Sequence, residues 1–510
     1  MTAPVRLVGA SALLALTLVS GGAAAIPVRT DRGRESNGGP SLLGGASLPV
    51  VEPSPLDPAQ RPPAVPFPVG SPVTAGWRDG MFFVSDSSHD WFISPGARLQ
   101  VDFHTFAPIS VTDDVGAGPG ARPADVRTGF QLRRARVELA GGVMSFLTWR
   151  LGAELTDNGP QTAADLLLNL RAAPTFNVQL GQFDAPFTLE NRTSDRYLDF
   201  LERSLTVRAL GVPTGKEIGL MFWGEDDRRV VHWSAGVFNG AGPNRFSTDN
   251  QVEGAARVFV HPFMVSHPRG IGRRIQIGAS GRVATRSLGG QSPYPAMTTP
   301  GGYTLFSPAL ASDVTLVARG LQWALAGEID LPLHRFDLRG EFVYVRNQTG
   351  EVTGPLGGAL DRDPVRLGTL EGFGFYVQMG YWVLGLPGTE LRPGYQDPPT
   401  LRVERAQPLL LPLGLQLVGR FDTVQFAYRG ASVDPRGQAD SAASGQYRVL
   451  AAEFGVNVWF TRHARVLFDY RHYWFPDQPG EAAADVNRMQ GPATRAGAYG
   501  EFSTRLALSL

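Results

Sequence analysis

Between Asp184 and Gly215 the chain carries Arg192, Arg196, Arg203 and Arg208 beside Glu190, Asp195, Asp199 and Glu202. A guanidinium stays charged in a protein, and its planar fork fits carboxylate or phosphate. Such a set has no nucleophile with a base beside it, so its chemistry is the electrostatic sorting of ions. A second set recurs at period two elsewhere: Arg134, Arg136 and Glu138, then Arg150 and Glu154, then Arg171, Arg282 and Arg420, with Asp422 close by. Residues two apart on a strand share a face, so these groups line one surface. Each arginine has two readings. It is fixed positive charge along a passage, or it is a clamp pairing a carboxylate and tying the 184–215 excursion to a wall.

Bond-making chemistry finds no support. The chain has no Gly-x-Ser-x-Gly elbow, no phosphate-binding P-loop and no His-Glu-x-x-His. The 8 histidines are scattered, and period two puts His472 on the opposite face from Asp469, away from His463 as a shared site. Asp113-Asp114 and Glu225-Asp226-Asp227 lack the alternating ligands and closing Glu of a calcium loop. No metal, cofactor or enzymatic role is expected. Lys+Arg and Asp+Glu balance at 47 each, which gives no bulk attraction to nucleic acid. Lys216 is the only lysine, and there is no cysteine.

The elements that must hold these residues are strands. In Leu147–Leu155 apolar and polar residues alternate, the mark of a strand with two different faces. The same alternation runs through Ala97–Phe106, Phe130–Leu139, Leu166–Arg171 and Phe176–Leu180, resumes at Ile218, and recurs to Leu510. Its clearest apolar face is Phe373, Phe375, Val377, Met379, Tyr381 and Val383. The expected fold class is all-β: a transmembrane antiparallel β-barrel of about 16 strands over residues 91–510, with 184–215 a long connection whose inward course as a constriction loop is what the family resemblance given below implies. Short turns alternate with long connections, except that Gly385–Pro412 is long on the short-turn side. Trp382, Trp459, Tyr473, Trp474 and Tyr499 sit near strand ends, where interfacial aromatic belts form. The alternative is a secreted or surface β-sandwich that binds a ligand such as carbohydrate, with the apolar face as its core.

Three stretches also resemble a known family. Phe130-Gln-Leu-Arg-Arg-Ala-Arg-Val137, Gly181-Gln-Phe-Asp-Ala-Pro-Phe187 and Leu201-Glu-Arg-Ser204 are similar to the phosphate-selective porins O and P. Gly374-Phe-Tyr-Val-Gln378, Leu415-Gln-Leu-Val-Gly-Arg420 and Phe454-Gly-Val-Asn-Val-Trp459 follow in the family's order, so the resemblance covers roughly 90–510. It implies that the segment after Gly181–Phe187 folds into the pore. It also implies a homotrimer in outer-membrane lipid that passes small anionic solutes, phosphate or polyphosphate in the family, selected by arginine and lysine. With one lysine here, the expectation is a passive porin with a modest anion preference.

Residues 1–25 read as an export signal, with Arg6, an apolar run Leu7–Val19 and Ala23-Ala24-Ala25. Residues 26–90, rich in Pro and Gly, read as an extended, mostly disordered periplasmic segment. The destination is the outer membrane of a Gram-negative-type cell. N-terminal sequencing of protein from that membrane is expected to begin at Ile26; a native chain beginning at Met1 refutes the export reading.

Overall fold

The computed structural model describes residues 73–509 except 79–80, 87, 89, 107–127, 145, 157–162, 213–214, 248, 250, 267–270, 288–296, 303, 307–313, 354–360, 386–413, 432–443, 462 and 477–497. The export signal, most of the Pro-rich segment, Asp113-Asp114 and nearly all of Gly385–Pro412 therefore lie outside the described residues. Two strands, β1 (Val73–Arg78) and β2 (Met81–Asp86), form a hairpin within the 26–90 stretch. β2 pairs briefly with β3 through Val84↔Ile93.

Sixteen strands close a ring. They are β3 (Trp91–Phe106), β4 (Gly129–Val143), β5 (Leu147–Glu154), β6 (Ala163–Ala173), β7 (Phe176–Asp184), β8 (Lys216–Glu225), β9 (Val231–Phe238), β10 (Glu253–Val260) and β11 (Gln276–Arg286). After a small hairpin of β12 (Met297–Thr298) and β13 (Thr304–Phe306) come β14 (Val314–Leu333), β15 (Phe336–Thr353), β16 (Asp361–Leu384), β17 (Gly414–Ala431), β18 (Ser444–Thr461), β19 (Ala464–Trp474) and β20 (Ala498–Ser509). Each pairs antiparallel with its neighbour, β11 with β14, and β20 returns to β3 through Leu508↔Leu99. The ring leaves no open edge, as a sheet in lipid requires, because hydrocarbon offers a bare N–H or C=O no partner. A two-sheet sandwich has no place in this topology.

The period-two reading decides the faces. Val377 is 40% exposed and Met379 and Tyr381 are exposed, whereas Tyr376 and Gln378, between them, are buried, Gln378 at 2%. Leu166, Leu168 and Leu170 point out, and Asp165, Leu167 and Asn169 point in. The apolar face therefore meets the membrane, and the other face lines the interior. One expectation is corrected. Trp382, Trp459 and Tyr473 are buried and face inward, so of the aromatics named for a belt Trp474 is the one seen facing out. Their strand parity opposes that of the lipid-facing residues, and proximity to a strand end does not override it. The side chain of Tyr499 is outside the described ones.

The interior is not uniformly polar. Along β14–β18 the inward residues nearer the long connections are apolar: Ala324, Val343, Val345, Val424, Phe426, Tyr447 and Val449 form one buried cluster with Leu205 and Leu210 of the 185–215 segment. This explains runs such as Phe342-Val343-Tyr344-Val345, which are apolar on both faces because both faces are covered.

An arginine near the bilayer midplane on the lipid face costs about 2–4 kcal/mol. Val377→Arg is thus expected to reduce the yield of folded, heat-modifiable barrel strongly, and Val377→Leu to leave it unchanged. Equal yields on a gel run before and after boiling contradict the assigned faces.

Candidate functional site

The 185–215 segment leaves the end of β7 and returns at the start of β8, and Asp184 and Lys216 are register partners at its neck. The Lys216 ammonium donates to Asp184 at 2.9 Å and to Asp165 at 2.7 Å. Asn191 donates from its side chain to Ala185 O (3.3 Å) and Gly215 O (3.1 Å), which ties both ends of the segment together. Gly215 has φ +79°, a conformation that disfavours any residue with a Cβ.

Two short helices follow from local capping. In α1 (Leu189–Arg192) the Thr188 hydroxyl accepts from Asn191 N–H, and in α2 (Leu205–Leu210) the Ser204 hydroxyl accepts from Val207 N–H. The first N–H groups of a helix have no partner within it. Here the barrel wall supplies the missing acceptors. Glu341 on β15 accepts from Leu189 N–H (2.6 Å) and Glu190 N–H (2.8 Å). Asp422 on β17 accepts from Leu205 N–H, from Thr206 N–H (3.1 Å) and from the Thr206 hydroxyl (2.6 Å). Asp469 on β19 accepts from Leu201 N–H at 2.7 Å. Gly372 and Gly374 on β16 leave room for α2: a Cβ on Gly372 would meet Leu210 Cδ2 at 2.6 Å, and one on Gly374 would meet Thr206 Oγ1 at 3.0 Å.

The segment's four carboxylates all have partners. Glu190 accepts from Ser204 N–H (2.7 Å) and from Arg420 (3.2 Å). Asp195 pairs with Arg98 and with Arg134 at 2.6 Å. Asp199 accepts from Gln378 and from Gln416, the latter at 3.1 Å. Glu202 pairs with Arg133 (2.7 Å), Arg134 (3.4 Å) and Arg505 (3.1 Å). The segment's arginines largely bind main chain. Arg192 donates to Asp184 O, Arg208 to Thr298 O, and Arg203 to Glu190 O (2.9 Å) and Thr193 O (3.0 Å). Arg196 reaches Glu138 at 2.9 Å.

On the wall, Arg98 joins Arg196 on Glu138 (2.9 Å), Arg136 pairs with Glu154 (3.3 Å), and Arg150 is buried within electrostatic reach of Glu138. Arg420 also bridges to Glu453 (2.7 Å) and lies 4.5 Å from the centre of the Phe200 ring. Arg171 and Arg282 stand apart from this network. Arg171 is near Glu225 at the short-turn end, and Arg282 pairs with Glu253 (3.3 Å) and lies over Phe187.

Sequence reasoning singled out neither Arg133 nor the capping acids Glu341 and Asp469. Arg133 is the extra residue of a bulge opposite Gln100/Val101, which turns it inward against strict alternation; the doubled Arg133-Arg134 was the available signal. Arg98 and Arg505 were legible by the parity that selected Arg134. Also unforeseen is the β12–β13 hairpin, which reaches across the interior. Thr298 O accepts from Arg208, Gly301 N–H donates to Glu501 (2.9 Å), and Tyr447 donates to Leu305 O (2.8 Å).

The chain is similar to several known proteins. Residues 111–283 match the family model of phosphate-selective porin O and P, a narrower span than the sequence motifs covered. No curated protein matches. Similar solved structures include outer-membrane OmpT of Vibrio cholerae (12% identity, 82% of this chain and 98% of that one, TM-score 0.45). An anion-selective porin from Comamonas acidovorans is similar at 9% identity, over 82% of this chain and 100% of that one, with TM-score 0.45. The channel DcaP of Acinetobacter baumannii shows 9% identity over 84% and 99%, with TM-score 0.43.

Replacing Asp422 with alanine strands the buried N–H groups of Leu205 and Thr206, at a cost of about 1–3 kcal/mol each. Asp422→Ala is expected to free α2 and raise open-channel current noise at least several-fold, with the barrel still heat-modifiable. Noise equal to the native protein's rules out Asp422 as the anchor of α2.

Proposed function

We propose that this chain is an outer-membrane porin that passes small solutes by diffusion with a modest preference for anions. The 185–215 segment is the constriction, and the β3–β6 side of the interior is the selective wall. One observation carries the reading. Among the described residues, Arg98, Arg133, Arg134, Arg136, Arg150 and Arg196 gather around the carboxylates Glu138, Glu154, Asp195 and Glu202. Arg505, which also touches Glu202, is matched by its own pair with Asp102 at 2.7 Å. The surplus is positive. Fixed charge in a narrow, low-dielectric passage concentrates counter-ions and repels ions of its own sign.

The β14–β18 side supports the same division. There α2 covers part of the wall with apolar contacts, and the charged groups Glu328, Arg339, Glu341, Arg420, Asp422 and Glu453 are buried, several of them in clamps to the segment or to one another. Within the constriction, Arg192, Arg203 and Arg208 hold main-chain carbonyls and serve chiefly to shape the loop. The single lysine is held between Asp165 and Asp184, so the field is arginine's alone. This supports a modest preference rather than a high-affinity phosphate site.

The homotrimer implied by the family resemblance has a natural contact. β5, β9 and β10 have 8 residues each, just under the about 9–11 that a tilted strand needs to cross the hydrocarbon. A sector too short to face lipid throughout is the sector that further copies would cover.

The test is the reversal potential in a planar bilayer under a KCl gradient. The native channel is expected to be anion-selective. Arg133→Gln with Arg136→Gln is expected to lower the anion-to-cation permeability ratio about two- to five-fold, because these side chains are among the less buried of the cluster, at 27% and 11%. A cation-selective native channel refutes the proposal, and an unchanged ratio in the variant moves selectivity off this wall.

A further inference from the structure

The strands of the other sector are longer than a membrane needs. β15, β17 and β18 have 18 residues and β16 has 24, against about 9–11 for a tilted crossing. The outward faces show where the crossing ends. On β16 the apolar row runs from Val383 to Phe373 and then changes to Glu371 and Thr369. On β15 it runs from Phe336 to Tyr344 and changes to Arg346 and Gln348. On β18 it runs from Phe460 to Leu450 and changes to Arg448 and Gln446. On β17 the outward face reaches Arg429. The aromatic edge of the band, with Trp323 and Tyr344 in ring contact at 5.3 Å, lies just below.

We propose that this overshooting outer face of β15–β18 binds the phosphate groups of the outer leaflet's glycolipid headgroups through Arg346, Arg429 and Arg448. The inference rests on the outer-membrane reading and on the long connections facing outward. The three arginines are exposed. Among the described side chains of this outer face beyond the apolar band, Glu371 is the one carboxylate. It stands 3.4 Å from Arg346, whose side chain is still 54% exposed.

Among the described side chains the patch therefore carries more arginine than carboxylate at the depth where a membrane surface carries anionic groups, and guanidinium suits phosphate by its paired N–H donors. The register Arg346↔Glu371↔Ala427 puts Arg346 and Arg429 two strands and two residues apart, and Arg429 and Arg448 are one strand and four residues apart. At strand spacings of about 4.8 Å and a rise of about 3.4 Å, these are roughly 12 and 14 Å. That spread suits a layer of headgroups more than one small anion. The face points away from the interior, so it is separate from the selective wall.

The test compares native protein with a triple variant, Arg346→Ala, Arg429→Ala and Arg448→Ala, purified in zwitterionic detergent. Bisphosphorylated lipid A is titrated and read by native mass spectrometry, beside the same lipid stripped of phosphate. The native barrel is expected to retain the phosphorylated lipid at least tenfold better than the stripped lipid or than the triple variant does. Millimolar inorganic phosphate is expected not to displace it. Equal retention of both lipids, equal retention by both proteins, or displacement by free phosphate overturns the proposal.

The triple variant is expected to keep native conductance and reversal potential, because it changes only the outer face. A conductance failure in the native protein therefore counts against the porin reading and leaves the lipid result to stand by itself. Orientation is read separately. The chain has no cysteine, so Arg346→Cys gives one site for a membrane-impermeant maleimide on intact cells. Labelling only after lysis places this face at the inner surface and overturns the assignment of the partner.

Discussion

A segment held inside a barrel must find a partner for every buried N–H and charge, because water is largely displaced and lipid offers none. The 185–215 segment meets this constraint with acids borrowed from the wall. Glu341, Asp422 and Asp469 come from three different strands, and each accepts main-chain N–H groups of the segment. Of its own carboxylates, Glu190, Asp195 and Glu202 are met in turn by Arg98, Arg133, Arg134, Arg420 and Arg505, and Asp199 by Gln378 and Gln416. The segment and the strands are thus complementary halves of one network. The two short helices exist where the wall caps them, being too short to stand alone.

This exchange shapes the electrostatics of the interior. Charges used for clamping contribute little net field, so selectivity depends on the surplus and not on the number of arginines. In the proposed function the surplus falls on the β3–β6 side, where, among the described residues, six guanidiniums surround four carboxylates. On the opposite side α2 lies on Gly372 and Gly374 with Leu205 and Leu210 in an apolar cluster. Apolar packing and the buried acids Glu341 and Asp422 together hold the segment against that wall, and the proposed function assigns selectivity to the arginine-rich wall facing it.

The barrel is also uneven around its circumference. Strands of 8 to 11 residues from β5 to β11 give way to strands of 18 to 24 from β14 to β18. Inside, the longer sector gives α2 a tall surface to pack against. Outside, it carries a polar extension above the apolar band. One asymmetry of strand length thus bears on both faces of the wall.

Much of this was legible in the sequence, because strand parity is a local property. Leu166, Leu168 and Leu170, or Val377 and Met379, could be assigned outward by alternation alone, and the same rule put Arg134, Arg136, Arg150 and Arg420 inside. The loss of that pattern after Asp184 marked the inward segment. What parity could not supply was pairing across the chain. Nothing near Glu341 in sequence tells that it caps Leu189, and nothing near Asp469 tells that it meets Leu201, because those partners are brought together only by ring closure. Arg133 turned inward because a bulge broke the alternation, and Trp382, Trp459 and Tyr473 faced inward where strand-end position suggested a membrane belt. The alternating chain determined a barrel with a charged interior and a lipid-facing coat. Which arginines are spent as clamps and which remain as field was decided by the tertiary structure, since a charge is neutralised by its neighbours in space and not by those in sequence.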